Sequence, residues 1–346
     1  MRALCLTATG GPDHLAPCDI PVPTLSEPGQ VRVAIRAMAL NHLDLWVADG
    51  LPAVPINSFP HVVGADGAGV VTECGASVTH VAVGDRVVIN PGVSCGHCES
   101  CMAFDEPFCR EFALLGEHRH GTAAEQVVLP GHNVLRIEGN WTWAEAAAFS
   151  LVTLTAWRML ARARVAAGEI VLIWGAGGGV SLQALQIARH LGARVAVTSS
   201  SDSKLARTTA LGAELRINHH DEPDVPGAVK AHFGRRADVV VDTVGAPTWT
   251  RSLKALRPGG RYVSCGATGG HDVSLDLRRL FWFQWSILGS TMGSSVEFAE
   301  VVALGNRGLL RPVIDAVYPL DEGADAYRRL AEAQQFGKLV LEVGRD

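Results

Sequence analysis

The sequence predicts an α/β protein of two domains, in which a β-rich domain precedes a parallel α/β domain. Residues 1–130 contain many short β segments with Gly/Pro turns, which is typical of an irregular barrel or sandwich. Residues 169–291 instead alternate strands with helices, which predicts right-handed βαβ units and a parallel sheet. The length of 346 residues also fits two domains.

The strands of the β-rich part are indicated by their residue types. Residues 31–37 alternate between apolar and polar, residues 61–74 are β-branched and Gly-rich, and residues 81–89 carry a Gly-Asp turn. Residues 142–161 are predicted as one helix that leads into the second domain.

Four cysteines with the spacing C-x2-C-x2-C-x7-C lie inside the β-rich part: Cys95, Cys98, Cys101 and Cys109. Four thiolates this close can complete a tetrahedral shell around one Zn²⁺, and a complete shell is structural because no position stays open for water or substrate. The other reading, a redox thiol pair, leaves the third and fourth cysteines without a role. The remaining cysteines are expected to be small buried thiols rather than a disulfide framework: Cys5, Cys18, Cys74 and Cys265.

The α/β part can be read element by element. Strands are predicted at 169–174, 194–198, 215–218, 237–242, 260–265 and 286–291, and helices at 180–191, 203–211 and 247–256. After about residue 292 the pattern changes to a helix at 296–304, a strand at 315–318, a helix at 322–333 and a strand at 338–343. We expect these last elements to complete the first domain, which then comprises 1–150 and 293–346, with the dinucleotide-binding domain at 151–292.

A glycine loop lies between the first strand and the first helix of the α/β part: Gly175, Gly177, Gly178, Gly179 and Val180. Glycine there permits an abrupt turn and a close approach of the backbone to a pyrophosphate, which the helix N-terminus stabilises. The strict six-residue motif places Val180 at the third glycine, whereas a loop one residue longer places the small Ser181 there. We prefer the longer loop and predict a dinucleotide site.

The end of the second α/β strand bears on the choice between NAD and NADP. The position where an NAD site usually has Asp or Glu falls near Ser199, followed by Ser200 and Lys204. Hydroxyls and a lysine suit a 2′-phosphate, so NADP(H) is expected, with NAD(H) as the alternative. Asp202 is expected to cap the next helix.

Charge and hydropathy exclude several classes of protein. The net charge of −5 argues against a nucleic-acid partner, and no apolar run reaches the length of a membrane span. The N-terminus lacks the pattern of a signal peptide, so a cytoplasmic enzyme with a small-molecule substrate is expected.

The chain resembles the medium-chain dehydrogenase/reductase superfamily, which includes zinc alcohol dehydrogenases and quinone oxidoreductases. The resemblance spans nearly the whole chain and rests on the four-cysteine lobe, the glycine loop and residues 64–70, 84–87, 154–157, 211–213, 242–245 and 337–341. It implies a GroES-like catalytic domain, a Rossmann domain, hydride transfer between them and an even-numbered oligomer, a homodimer or homotetramer. It also implies that further residues line the cofactor: Thr155, Thr243, Val244, Cys265, Gly266, Leu288 and Gly289.

The catalytic zinc of the alcohol dehydrogenases is not expected here. Their three ligand positions match Asn41, Ala65 and approximately Leu151, and neither alanine nor leucine can coordinate zinc. A substitute site remains open, because His42, Asp44 and Asp66 are potential ligands. Without a metal, Asn41 and a histidine can stabilise and protonate a reduced substrate. The candidate catalytic residues are Asn41, His42, Asp44, His118 and His120, with His61 as a less compelling one.

Three functions are compatible with these residues. The first is an NADPH-dependent reductase of enones, quinones or related carbonyl compounds with one structural zinc. The second is an alcohol or aldehyde dehydrogenase with an atypical catalytic site, and the third is a cofactor-binding protein without turnover. Five aromatic residues can form a substrate wall, a core or a subunit interface: Trp46, Phe59, Phe281, Trp282 and Trp285. The strand at 286–291 can pair across a two-fold axis.

Overall fold

The computed structural model of this chain describes residues 1–51, 54, 56 and 58–344. These residues divide into two units, Met1–Leu151 with Gly293–Asp346, and Val152–Met292. The chain therefore leaves the first unit once and returns to it at its C-terminal end.

The first unit is built mainly from short strands. Its strands are β1 (Arg2–Leu6), β2 (Leu15–Asp19), β3 (Gln30–Ala39), β4 (His61–Val62), β5 (Asp66–Cys74), β6 (Arg86–Ile89), β7 (Gly92–Val93), β8 (Ala113–Leu114), β9 (Gln126–Pro130) and β10 (Val134–Arg136), and two more, β17 and β18, follow the second unit at Ile314–Pro319 and Lys338–Glu342. Its helices are α1 (His42–Asp49), α2 (Glu99–Met102), α3 (Trp143–Ala147), α10 (Ser295–Asn306) and α11 (Gly323–Ala331).

The ten-residue strand β3 organises the largest sheet of the first unit. The strand order is β10-β6-β5-β3-β18-β17, and β9 also pairs with β3. Alternate residues of β3, including Val31, Val33 and Ile35, are buried in an apolar cluster. At the end of β3, Ala39 pairs with Asp66 of β5 on one side and Val340 of β18 on the other. The starts of β5 and β18 therefore flank the segment that follows β3.

The second unit is a parallel six-stranded sheet with helices between its strands. After helix α4 (Ser150–Arg162) come β11 (Ile170–Ile173), α5 (Gly179–His190), β12 (Arg194–Ser199), α6 (Asp202–Arg207), β13 (Leu215–Asn218), α7 (Val225–Phe233), β14 (Ala237–Asp242), α8 (Ala246–Ala255), β15 (Leu256–Ser264), α9 (Leu277–Phe283) and β16 (Ser286–Gly289). The strand order β13-β12-β11-β14-β15-β16 reverses direction between β11 and β14. Ligands of such sheets bind where the strand order reverses. The parallel sheet and its helices confirm the predicted α/β fold class.

Two expectations about local structure were wrong, and some helices were not predicted. The helix predicted over residues 142–161 is two helices, α3 and α4, because the chain bends after Ala147. Helices α7 and α9 were not predicted. Cys5 and Cys18 form a disulfide, because β1 and β2 pair antiparallel and bring their Cα atoms to 6.0 Å, within the range that a disulfide spans.

None of the helices in the described part of the chain is both long enough and apolar enough to cross a bilayer.

Candidate functional site

A buried polar cluster lies where β3, β5 and β18 meet, and its members are Asn41, Asp44, Asp66 and Lys338. Each has at most 6% of its surface exposed. Lys338 Nζ donates to Asn41 Oδ1 at 2.5 Å and to Asp66 Oδ2 at 3.1 Å. The Asn41 amide nitrogen donates to Asp66 Oδ2 at 2.9 Å and to the Ala39 carbonyl at 3.3 Å. The buried polar cluster is therefore a closed network around one ion pair.

Further hydrogen bonds hold the cluster to the surrounding backbone. Asp66 Oδ1 accepts from the Leu151 backbone N–H at 2.9 Å, and the Asp66 carbonyl accepts from the Thr122 hydroxyl at 2.5 Å. Asp44 accepts from the backbone N–H of Asn41 at 2.6 Å, which completes a capping box at the start of α1. These bonds leave the Asp66 carboxylate well satisfied despite its burial.

The residues present do not fit a catalytic zinc. Asn41 Oδ1 already faces a cation, and Ala65 and Leu151 have no ligand atom in their side chains. The absence of the usual three-ligand site stays a prediction.

Asp44 is the member of the buried polar cluster whose protonation changes near neutral pH. Burial raises the pKa of Asp44 to about 7, and the nearby Asp66 carboxylate acts in the same direction, whereas the Asn41 backbone N–H and the Lys338 ammonium oppose the rise. Tyr327 of α11 also faces this carboxyl group. Its hydroxyl is fully buried without a hydrogen-bond partner among the described residues, and burial raises its pKa well above the ordinary value.

The raised pKa of Asp44 predicts a pH-dependent stability. The folded protein holds this proton up to about pH 7, whereas the unfolded chain releases it near pH 4, so the contribution to stability is complete below pH 4 and lost as pH rises to 7. Asp44→Asn removes this dependence. From pH 5 to pH 8 the wild type should lose about 2–3 kcal/mol of unfolding free energy relative to the variant, as measured by urea unfolding. If the difference in unfolding free energy between the wild type and Asp44→Asn did not change with pH, the raised pKa of Asp44 would be contradicted.

The predicted histidines occupy different places. His42 is exposed at the start of α1, directly after Asn41, and packs edge-on against Trp46. His118 and His120 lie in the loop after β8. His118 Nδ1 accepts from the Leu114 backbone N–H at 3.2 Å, and His120 Nδ1 accepts from that of Val62 at 3.1 Å. His42 is therefore the histidine adjacent in sequence to the buried polar cluster.

The four lobe cysteines are arranged as a tetrahedral metal site requires. Their sulfur atoms all lie within 4.8 Å of one another, and three of the separations are 3.6–3.8 Å. Zinc–sulfur bonds of about 2.3 Å correspond to sulfur–sulfur separations of roughly 3.8 Å. The backbone N–H groups of Cys98 and Glu111 point at the sulfurs of Cys95 and Cys109. These residues fit a zinc ion.

The glycine loop has the conformation that a pyrophosphate site needs. Gly175 and Gly177 have φ angles of +72° and +137°, which L side chains rarely adopt. Helix α5 begins at Gly179, so the last two residues of the loop form its first turn. Ser181 is buried, and its hydroxyl donates to the Trp174 carbonyl at 2.9 Å. A small residue thus lies where the longer loop predicts one, and the loop can hold a dinucleotide against the N-terminus of α5.

The end of β12 carries hydroxyls. Ser199 ends the strand, and Ser201 caps α6 by accepting from the Lys204 backbone N–H, so the expectation that Asp202 is the cap was wrong. Asp202 is the first residue of α6, and its carboxylate accepts from the Asn218 amide at 2.9 Å. The carboxylate nearest to Ser199 in sequence is therefore engaged by a neighbouring strand.

Asp242 belongs to the segment at 242–245 that carries part of the resemblance, and no separate role was predicted for it. Its buried carboxylate accepts from the backbone N–H groups of Val244 and Gly245 and from the hydroxyls of Thr248 and Ser252. These bonds fix the loop after β14, which begins with Thr243. An aspartate that ends an apolar parallel strand is the sequence signal for this role.

Four of the predicted cofactor residues lie at the ends of β15 and β16 in the parallel sheet. Burial and the nearby Asp242 raise the pKa of Cys265 to about 12, which keeps its thiol neutral. Cys265 and Gly266 follow β15, and Leu288 and Gly289 end β16. Thr155 of α4 is buried.

The five aromatic residues belong to both units and differ in burial. Trp285 is buried in the core of the second unit, where its indole N–H donates to the Arg257 carbonyl. Phe281 and Trp282 are instead 69% and 75% exposed on α9, and Phe59 is 44% exposed. Trp46 packs against His42.

Two family models match the chain. The model described as an alcohol dehydrogenase GroES-like domain matches residues 27–139, and that of a zinc-binding dehydrogenase matches residues 179–307. The predicted combination of a GroES-like and a Rossmann domain is thereby confirmed.

Relatives align over the full length of the chain. An NAD-dependent alcohol dehydrogenase of Sulfolobus acidocaldarius is 32% identical, and the match covers 99% of this chain and 100% of that protein. A solved structure of an NAD-dependent alcohol dehydrogenase is 45% identical with a TM-score of 0.94, covering 99% of this chain and 100% of that one. The structure of the 2-octenoyl-CoA carboxylase reductase CinF in complex with NADP and 2-octenoyl-CoA is 28% identical with a TM-score of 0.92, covering 99% and 87%.

Proposed function

This chain belongs to the medium-chain dehydrogenase/reductase superfamily, and from that membership we propose that it is a reductase that uses NADP(H) to reduce an activated C=C bond or a quinone. Its membership makes it a zinc-type oxidoreductase. The observation that carries the finer proposal is the buried polar cluster, in which Lys338 and Asp66 enclose the Asn41 amide where a metal ligand would otherwise lie.

The chemistry of these acceptors suits such a site. When a conjugated acceptor takes up a hydride at carbon, negative charge develops on its oxygen, and hydrogen-bond donors with a proton source can stabilise that charge. Oxidation of an unactivated alcohol instead benefits from a Lewis acid that lowers the pKa of the hydroxyl. A histidine beside the buried polar cluster can supply a donor and a proton of this kind.

Each part of the chain has a role in this proposal. The bound nicotinamide supplies the hydride. The glycine loop holds the pyrophosphate, and the zinc lobe is structural. Asn41 directs its amide hydrogens to Asp66 and Ala39, so we assign it to positioning. His42 is the proton donor we favour over His118 and His120, because it is exposed and adjoins the buried polar cluster.

Ser199 gives a test of the preference for NADP(H). Ser199→Asp places a carboxylate at the end of β12, where it would repel a 2′-phosphate. The variant is expected to lose about 10- to 100-fold in kcat/KM for NADPH and to keep its NADH activity within a few-fold. Ser203→Asp, which adds the same charge at an exposed position of α6, is the matched control. Equal losses with both coenzymes would contradict NADP(H) as the preferred one.

One observation favours an alcohol or aldehyde dehydrogenase as the second candidate. Two of the relatives described above are named NAD-dependent alcohol dehydrogenases, and one of them is 45% identical. That function requires either a second metal or a polar site able to activate an alcohol.

A comparison of substrates with and without a chelator separates the candidates. We expect NADPH-dependent reduction of enones or quinones that a chelator leaves unchanged over the first minutes. Oxidation of simple alcohols that is lost with the chelator and restored by zinc would favour the second candidate. Tight NADPH binding without turnover of any of these substrates would favour the function of a cofactor-binding protein.

We also propose that two copies associate through β16. This strand is at the edge of the six-stranded sheet and is largely exposed, and an exposed edge is a template for pairing. Light scattering is expected to give an even multiple of the 36.7 kDa chain; a monomer would refute this.

A further inference from the structure

We propose that a cavity on the outer face of β9 binds a medium-chain carboxylate, a small molecule with an anionic head and an unbranched apolar tail. The cavity has a volume of about 560 Å³, and all of its lining residues belong to the first unit. This volume lies within the usual range of small-molecule sites. None of the four residues of the buried polar cluster lines the cavity, so the inference goes beyond the proposed function.

The floor of the cavity is the outward face of β9. Alternate residues of a strand face opposite sides of its sheet. Val127 and Leu129 are buried in an apolar cluster of the first unit. The side chains of Gln126, Val128 and Pro130 therefore face outward, into the cavity that they line. The strand rises roughly 3.4 Å per residue, so this floor is about 14 Å long and can hold an extended alkyl chain.

The walls of the cavity are apolar as well. Ile20, Pro21 and Pro23 come from the segment after β2, and Pro60 and Val62 come from β4 and the residue before it. Proline side chains lose no rotamer freedom when a ligand contacts them. An alkyl tail therefore meets a surface that is largely preformed, which lowers the entropic cost of binding.

Hydrogen-bond donors line the cavity next to β4. Arg119 is exposed there, and its guanidinium has no hydrogen-bond or ion-pair partner among the residues that the structure describes. His120 follows, and its Nδ1 accepts from the Val62 backbone N–H at 3.1 Å. A backbone N–H can only donate, so neutral His120 carries its proton on Nε2. Arg119 and His120 can thus both donate to one ligand head group.

The charge of the lining favours an anion. The chain has 35 Asp and Glu against 30 Lys and Arg, and in the first unit acidic residues are nearly twice as numerous as basic ones. The lining nevertheless includes Arg119 and, among the described residues, no carboxylate. A guanidinium binds a carboxylate through two parallel hydrogen bonds. A carboxylate is therefore the head group that fits, whereas an ammonium would find no counter-charge in this lining.

Gln30 limits the length of the tail. It pairs in register with Pro130, at the end of β9 away from Gln126. Its side-chain oxygen accepts from the backbone N–H groups of Ser26 and Glu27, which fixes the side chain and leaves its NH₂ group at the cavity. The apolar floor thus ends at a polar group, and a tail that reaches from Arg119 along β9 ends there. This favours a medium-chain over a long-chain carboxylate.

Titration calorimetry of the full chain without coenzyme tests the site with octanoate and with octanamide, which has the same tail and no charge. We expect the wild type to bind octanoate with a Kd below about 100 μM and octanamide about tenfold more weakly. Arg119→Gln should weaken octanoate binding about tenfold and leave octanamide binding within twofold, because it removes only the charge-assisted bonds. Arg307→Gln, which changes an exposed arginine of the same unit outside the cavity, is the matched control and should bind both as the wild type does.

Val128→Glu is a second, independent variant. It places a carboxylate on the floor of the cavity at a half-buried position, and it should abolish octanoate binding up to about 1 mM. Octanoate binding that Arg119→Gln and Val128→Glu both leave within twofold would overturn the inference. So would a wild type that binds octanamide as tightly as octanoate, or that binds neither. Since neither coenzyme nor substrate is present, these outcomes are distinct from failure of the proposed reductase function.

Discussion

Replacing Cys98 with serine is expected to release zinc from the lobe and to destabilise the first unit. Three sulfurs cannot complete the shell that the four cysteines form, and binding of a structural metal contributes directly to folding. The lobe is anchored to α10, because Glu106 accepts from the backbone N–H and the hydroxyl of Ser295. We expect zinc to fall from about one to near zero per chain and Tm to fall by about 10 °C, as measured by elemental analysis and calorimetry.

Cys74→Ser is the matched control for this variant. Cys74 is a half-buried thiol outside the lobe, and its Sγ lies near the Val81 carbonyl. The Cys74→Ser variant should therefore contain as much zinc as the wild type. NADPH affinity should persist in both variants, since the glycine loop lies in the other unit. Normal zinc content in Cys98→Ser would refute the structural assignment of the lobe.

Replacing Asp66 with alanine is expected to cost about 3–5 kcal/mol of unfolding free energy. The change leaves the Lys338 ammonium, 3% exposed, without its counter-charge, and it removes the acceptor of the Leu151 backbone N–H. A buried charge without a partner is among the most destabilising single changes. Urea unfolding of the wild type and the variant measures the difference.

Asp321→Ala is the matched control for Asp66→Ala, because it also removes the aspartate of an ion pair, but at the surface. Asp321 pairs with Arg2, and both side chains are more than half exposed, at 56% and 58%. Its loss should therefore leave the midpoint of urea unfolding almost unchanged. If Asp66→Ala and Asp321→Ala lost similar amounts of unfolding free energy, the ion pair of the buried polar cluster would contribute no more to stability than a surface pair.

The parts of the fold that are formed by residues close together in the sequence could be predicted from it. The apolar run that ends in the glycine loop predicts a strand and a turn, and β11 and Gly175 follow that pattern. The cysteine spacing likewise predicts one metal lobe. In both cases the residues that act together lie within about 15 positions.

The buried polar cluster could not be predicted in the same way. Asn41 and Lys338 are 297 residues apart, and only the pairing of β3 with β18 brings them together. The available signal was a lysine directly before the apolar residues Leu339, Val340 and Leu341, because a lysine buried in a strand requires a partner. The break between α3 and α4 is also a tertiary effect, since the Leu151 N–H donates to Asp66.

Zinc per chain, measured in active protein purified without added metal, distinguishes a metal-free catalytic site from a metal-dependent one. One zinc per chain, lost in Cys98→Ser, is the predicted result, because the lobe has four thiolates and the buried polar cluster already contains a cation. Two zinc ions per chain, with activity that depends on the more readily exchanged one, would instead establish a metal-dependent dehydrogenase.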